Sequence, residues 1–131
     1  MDKQELRQYR ALLAEIALLE GEQRRIAEGA LSAVALTGMP KGSGTVDDTG
    51  RLAAKLADLA YLIAAKLEEA IAVRLQIEQA IEGLDGQERV LMRLRYIEGR
   101  TWEEIAAAMH YSFRRVTQIH GNILQRLKNY P

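Results

Sequence analysis

The apolar positions of the chain fall at helical spacing almost throughout. Between residues 3 and 28, Leu6, Tyr9, Leu12, Leu13, Ile16, Leu19 and Ile26 recur at steps of three and four, mostly, which predicts an amphipathic helix. Gly29 is a point where this helix could fray or bend, and Ala30–Leu36 offer two further turns. The stretch GMPKGSGTVDDTG over 38–50 then breaks the pattern. Glycine frees φ while Pro40 fixes it and lacks a donor, so a connecting loop is expected, with 38–48 as its body. It lacks the G-x-x-x-x-G-K-[ST] spacing of a phosphate loop. Asp47, Asp48 and Thr49 are good N-caps for a second helix reaching about Gly83. Within it Leu56, Ile63, Ala70, Ile77 and Leu84 stand at seven-residue steps, interleaved with Leu52, Leu59 and Val73. That period suggests coiled-coil packing. Some 35 residues at 1.5 Å each would reach ~50 Å, too long for the stripe to bury itself. Its cover is either the first helix, folded back antiparallel, or a second copy of the chain.

Gly83, Asp85 and Gly86 break the long helix. Val90, Leu91, Leu94 and Ile97 mark a helix over 86–97, with Arg89, Arg93 and Arg95 on its polar sides and Gly99 as its stop. Thr101 and Glu104 form a capping box that opens a short helix, Trp102–Met109, with Ile105, Ala106 and Met109 turned inward. After Met109–His110–Tyr111, Ser112 caps a helix to about Lys128 whose core side is Val116, Ile119, Ile123, Leu124 and Leu127. Two short helices joined by a tight turn, the second capped by serine, match the helix-turn-helix layout. The outer side of the second helix is Arg114, Arg115, Thr117, Gln118, Gly121, Asn122 and Gln125. These side chains can donate to base edges and phosphates, and none is acidic. A plain three-helix bundle with a basic face would show the same spacing. The expected fold is all-α: a helical hairpin or coiled-coil arm over 1–83, then a helix-turn-helix three-helix module over 84–131.

Composition narrows the function classes. The zero net charge hides an asymmetry, because residues 85–131 carry eight bases against five acids. There is no cysteine, hence no disulfide or thiolate metal site. No window holds 18 uncharged apolar residues, and the start MDKQELRQYR is unlike a signal peptide, so a cytoplasmic chain away from membranes is expected. His110 and His120 stand ten apart without a carboxylate pattern, which disfavours a metal site. Glu68–Glu69 and Glu103–Glu104 are adjacent and diverge on a helix, so they form no catalytic pair. Neither an enzyme nor a cofactor is expected.

The run LDGQERVLMRLRYIEGRTWEEIAAAMHYSFRRVTQIHGNILQRLKNY resembles the fourth conserved region of bacterial sigma factors, at Leu84, Gly99, Glu104, Ile105, Ala106, Ser112, Val116 and Leu127. The remaining residues do not resemble the promoter-melting part of a sigma factor. The whole layout, with GMPKGSG and YIEGRTWEEIA, resembles small phage-encoded regulators related to the RinA and ArpU type activators. The resemblance implies a sequence-specific, DNA-binding transcriptional regulator of phage or prophage origin, with RNA polymerase as a possible partner. Arg114, Arg115 and Gln118 would read bases, Arg100 and Lys128 would meet phosphate, and Thr101, Ser112, Phe113, Thr117 and Asn122 would complete the surface. Phe113 would touch a thymine methyl or pack over Tyr111. Trp102 would pack in the core or bridge to the DNA backbone. His110 stands where the family usually has glycine, at a position tending to a left-handed backbone. The long second helix offers a surface for a homodimer. Two other readings stay open: a helical adaptor that docks on RNA polymerase without reading DNA, and a small-terminase-like packaging factor.

Overall fold

The computed structural model describes residues 1–37 and 42–130, with side chains for 1–29 and 48–130. Among the described residues every regular element is helical: α1 (Lys3–Thr37), α2 (Gly42–Ile81), α3 (Gly86–Met92), a π-helical turn (Arg93–Ile97), α4 (Trp102–Met109) and α5 (Phe113–Leu127). Helix α1 runs through Gly29 without a stop. A lone glycine costs about 1 kcal/mol relative to alanine, which does not by itself end a helix.

The loop expected over 38–48 is corrected, because α2 begins at Gly42. Asp47, Asp48 and Thr49 therefore lie inside the helix and do not cap it. The physical reason is the difference between the two breakers. Glycine only lowers helix propensity, whereas proline removes a donor and clashes with the preceding turn. Pro40 and the rest of 38–41 lie outside the described residues.

The chain packs as two compact units. The first joins Met1–Leu12 to Glu69–Pro131. Its core takes Leu6, Tyr9 and Leu12 from α1, Ala70, Val73, Ile77 and Ile81 from α2, and Leu84, Leu91, Met92, Tyr96, Ile105, Val116, Ile123 and Leu127 from the C-terminal elements. This unit thus holds the last turns of α2 together with the segment beyond residue 83, and Ala70, Ile77 and Leu84 of the seven-residue spacing are buried in it. Tyr9 also accepts a hydrogen bond from Arg74 at 3.3 Å.

The second unit, Leu13–Glu68, is a thin pair of helices. Glu15 and Lys66 form an ion pair at 3.1 Å and stand at nearly equal distances along their helices from the 38–41 connection. The two helices therefore run side by side and antiparallel. Among its described side chains Ile16 is buried, while Leu19, Leu52, Leu56, Leu59 and Ile63 are only half-buried. Two helices alone cannot enclose a core.

Candidate nucleic-acid interface

Each helix of the C-terminal segment starts on a side chain that satisfies its orphan N–H groups. Asp85 opens α3 with a reciprocal capping box: Glu88 N–H donates to Asp85 Oδ1 at 2.9 Å, and Asp85 N–H to Glu88 Oε1 at 3.2 Å. The other oxygen of Glu88 pairs with Arg126, which ties α3 to the last turn of α5. Thr101 and Glu104 repeat the box at α4, at 3.1 and 3.0 Å. These hydrogen bonds hold the Glu104 carboxyl below the usual carboxylate range. Ser112 Oγ accepts from Arg115 N–H at 3.0 Å and opens α5. Serial caps of this kind fix where each short helix begins.

The turns between them depend on two left-handed residues. Gly99, at φ +73°, ends the π-helical turn, whose closing bond runs from Glu98 N–H to Arg93 O at 3.0 Å. His110, at φ 59° and ψ 38°, closes α4. There Tyr111 N–H reaches back to Ala106 O at 3.0 Å and His110 N–H to Ala107 O at 3.4 Å, a Schellman closure. A left-handed backbone costs an L-residue about 1–2 kcal/mol, and histidine bears it better than branched side chains. Tyr111 then bonds Gln87 of α3 at 2.5 Å, anchoring the turn. Helices α4 and α5 thus stand in helix-turn-helix order, with α3 behind them. Residues 80–129 match the family model described as Sigma-70, region 4. The C-terminal segment is a sigma region 4-like helix-turn-helix module. No curated protein and no solved structure matches the chain.

Most side chains expected at the interface of this region 4-like module stand in the open. Arg114, Gln118, Gly121 and Gln125 share one exposed stripe of α5, flanked by exposed Arg115 and Asn122. Lys128 is exposed at the end of the helix. Phe113 is 51% exposed at its start, and its ring joins none of the aromatic pairs among the described residues. Arg115 lies over the Tyr111 ring at 6.0 Å. Two residues are less free than the sequence suggests. The Thr117 hydroxyl donates to the carbonyls of Phe113 and Arg114, at 3.1 and 2.9 Å. Arg100 pairs with Glu98 at 3.3 Å and Glu104 at 3.9 Å. Ser112 and Thr101 act as caps, so their hydroxyls already accept one backbone bond each. Ile119 and Leu124, expected in the core, are only half-buried.

Sequence reasoning missed the centre of the module. His120, on the buried side of α5, is 6% exposed. Its Nε2 lies 2.6 Å from the Tyr96 hydroxyl, and its ring packs on Trp102 with centroids 4.5 Å apart. Arg95 stacks over the other ring of this set, Trp102, at 4.5 Å and donates to Arg100 O at 2.9 Å. Trp102 accordingly packs, half-buried, between His120 and Arg95. The only available signal was the 3.5-fold spacing of Val116, His120, Ile123 and Leu127, in which a polar type occupies a core position. Burial pushes the His120 imidazole down to about 4, and the charges of Lys3, Arg95 and Arg7 add to the effect. Burial also raises the Tyr96 phenol, so the pair is neutral at pH 7. Among the described residues no group of three or more His, Cys, Asp or Glu gathers to hold a metal.

The His120 shift sets a pH dependence. The unfolded chain protonates this ring near pH 6.5, whereas the folded chain holds it neutral down to about 4. Between those values the unfolded state binds the extra proton, so stability present above pH 6.5 is lost as pH falls. We expect a loss of about 1.5 kcal/mol between pH 6.5 and 5 in urea unfolding. His120→Gln should be less stable at pH 7 but should lack this decline. Equal slopes in the two proteins would contradict the assignment.

Proposed function

We propose that this chain is a transcriptional regulator that reads double-stranded DNA in the major groove through the exposed face of α5. Sigma region 4-like modules are DNA-binding helix-turn-helix domains, which supports the coarse part of this reading. The observation that carries the finer part is the acid-free face of α5. Arg114 and Arg115 make no ion pair among the described residues, while Glu88, Glu98 and Glu104 are engaged by Arg126 and Arg100. Arg114, Arg115 and Gln118 suit base edges, with Asn122 further along the same surface and Phe113 placed for a thymine methyl. Arg100 and Lys128 suit phosphate, and the exposed ion pairs of Arg100 cost little to exchange for one. Thr101 and Ser112 offer capped helix starts to the backbone. Region 4 modules also bind RNA polymerase, which makes polymerase a second proposed partner. The likeness to RinA and ArpU type activators favours a phage or prophage origin.

Dimerisation completes this reading. One recognition helix covers a few base pairs, and pairing two modules on one duplex is the usual remedy. The second unit gives the means. Its two antiparallel helices leave Leu18, Tyr61, Leu62 and Leu67 exposed, at 74, 79, 42 and 46%. Two such hairpins laid flank to flank can bury exposed leucines of this kind as a four-helix bundle. The dimer surface proposed here is a flank of the hairpin, because the seven-residue stripe of α2 already faces inward, with Leu62 and Leu67 on either side of it.

Two measurements follow. In gel shifts on a selected duplex, Arg115→Ala should cost about 1–3 kcal/mol and relax specificity, whereas Lys128→Ala should weaken all sequences alike. Unchanged affinity in both would favour an adaptor that does not read DNA. Light scattering across a concentration series should give twice the chain mass of 14.7 kDa. A constant monomer mass up to high micromolar would exclude the bundle.

A further inference from the structure

The start of α1 belongs to the same compact unit as the region 4-like module, and it carries a row of cations. Lys3, Arg7 and Arg10 stand at steps of four and three, on one face of the helix. That face meets the turn before α4. Arg10 Nη1 donates to Ile97 O at 3.2 Å, and a Cβ at Gly99 would stand 2.7 Å from Arg10 Nε. Glycine at 99 therefore serves the close approach of this guanidinium as well as the left-handed turn. Arg7, Arg10 and Arg95, with Tyr96 and Gly99, line an open cleft of about 230 Å³. Beyond it Arg95 reaches the carbonyl of Arg100. Four arginines thus follow one another from α1 to the N-terminal end of α4.

The charges in this cleft are uncompensated. Among the described residues Arg7, Arg10 and Arg95 make no ion pair, and the acids nearby, Glu98 and Glu104, are engaged with Arg100. Three like charges around one cleft repel one another unless an anion enters. The cleft is open and lined chiefly by arginines, unlike the enclosed sites that hold small ligands. It opens beside Arg100 and the first turn of α4, where a helix-turn-helix module meets the sugar-phosphate backbone.

We propose that the Arg7–Arg10–Arg95 cleft takes a backbone phosphate of DNA flanking the bases read by α5, so that the N-terminal helix extends the footprint of the module. The proposal rests on the DNA-binding reading given above and adds a contact outside the matched segment. Phosphate contacts act on any sequence, so a long duplex of mixed sequence is a sufficient probe. Arg7 is exposed, and no hydrogen bond or ion pair holds it among the described residues, so Arg7→Gln should fold normally by circular dichroism. Across a salt series its log Kd against log salt should be shallower by about one unit than that of the wild type. Arg7→Lys should restore the slope. On a duplex trimmed to the bases covered by α5, wild type and Arg7→Gln should bind alike. A folded Arg7→Gln with the wild-type slope on the long duplex overturns the cleft. It leaves the DNA-binding reading standing if Arg115→Ala still weakens binding. Failure of the wild type to bind either duplex overturns both.

Discussion

The bond between the Tyr96 hydroxyl and His120 Nε2 holds the region 4-like module in register. It lies in the core and joins the π-helical turn to the middle of α5, and Trp102 at the head of α4 packs on the same imidazole. A buried polar pair is costly to leave unmade, so it admits few alternative packings. With His120 fixed inward, the stripe of Arg114, Gln118, Gly121 and Gln125 must point outward. The identity of the exposed face thus follows from one buried contact on the opposite side of the helix.

Everything that presents this face is local and short. Three capping motifs start the helices, and two left-handed residues, Gly99 and His110, stop them. Such a module of short helices has little core of its own. The first turns of α1 and the last turns of α2 supply the missing cover through Leu6, Tyr9, Leu12, Val73 and Ile77. The arm is therefore part of the folded module at its base. Its outer part has a thin core and exposed leucines.

Much of this is legible in the chain. The Thr101–Glu104 box and the Ser112 cap each rest on a residue type favoured at a helix start, and each is where the spacing puts it, while His110 only tolerates the left-handed turn it makes. The helical character of α1 and α2 is legible in the same way. The start of α2 is not, because the glycines that follow Pro40 lower helix propensity without excluding a helix. What covers the C-terminal core is not legible either, because hydropathy tells which face is buried without telling that the ends of α1 and α2 pack there. His120 and Tyr96 were missed for a related reason. Their pairing spans 24 residues, and a polar residue in a core position announces itself only through its partner. Arg7 and Arg10 look like ordinary solvated charges until Gly99 brings Arg10 against the module.

The proposed function rests on base reading by the outer face of α5. Selection of bound fragments from a pool of random duplexes tests it most directly. The wild-type chain should enrich a defined motif, and Arg115→Ala a degenerate form of it. Wild-type protein that binds the pool yet enriches no motif would contradict base reading by this helix.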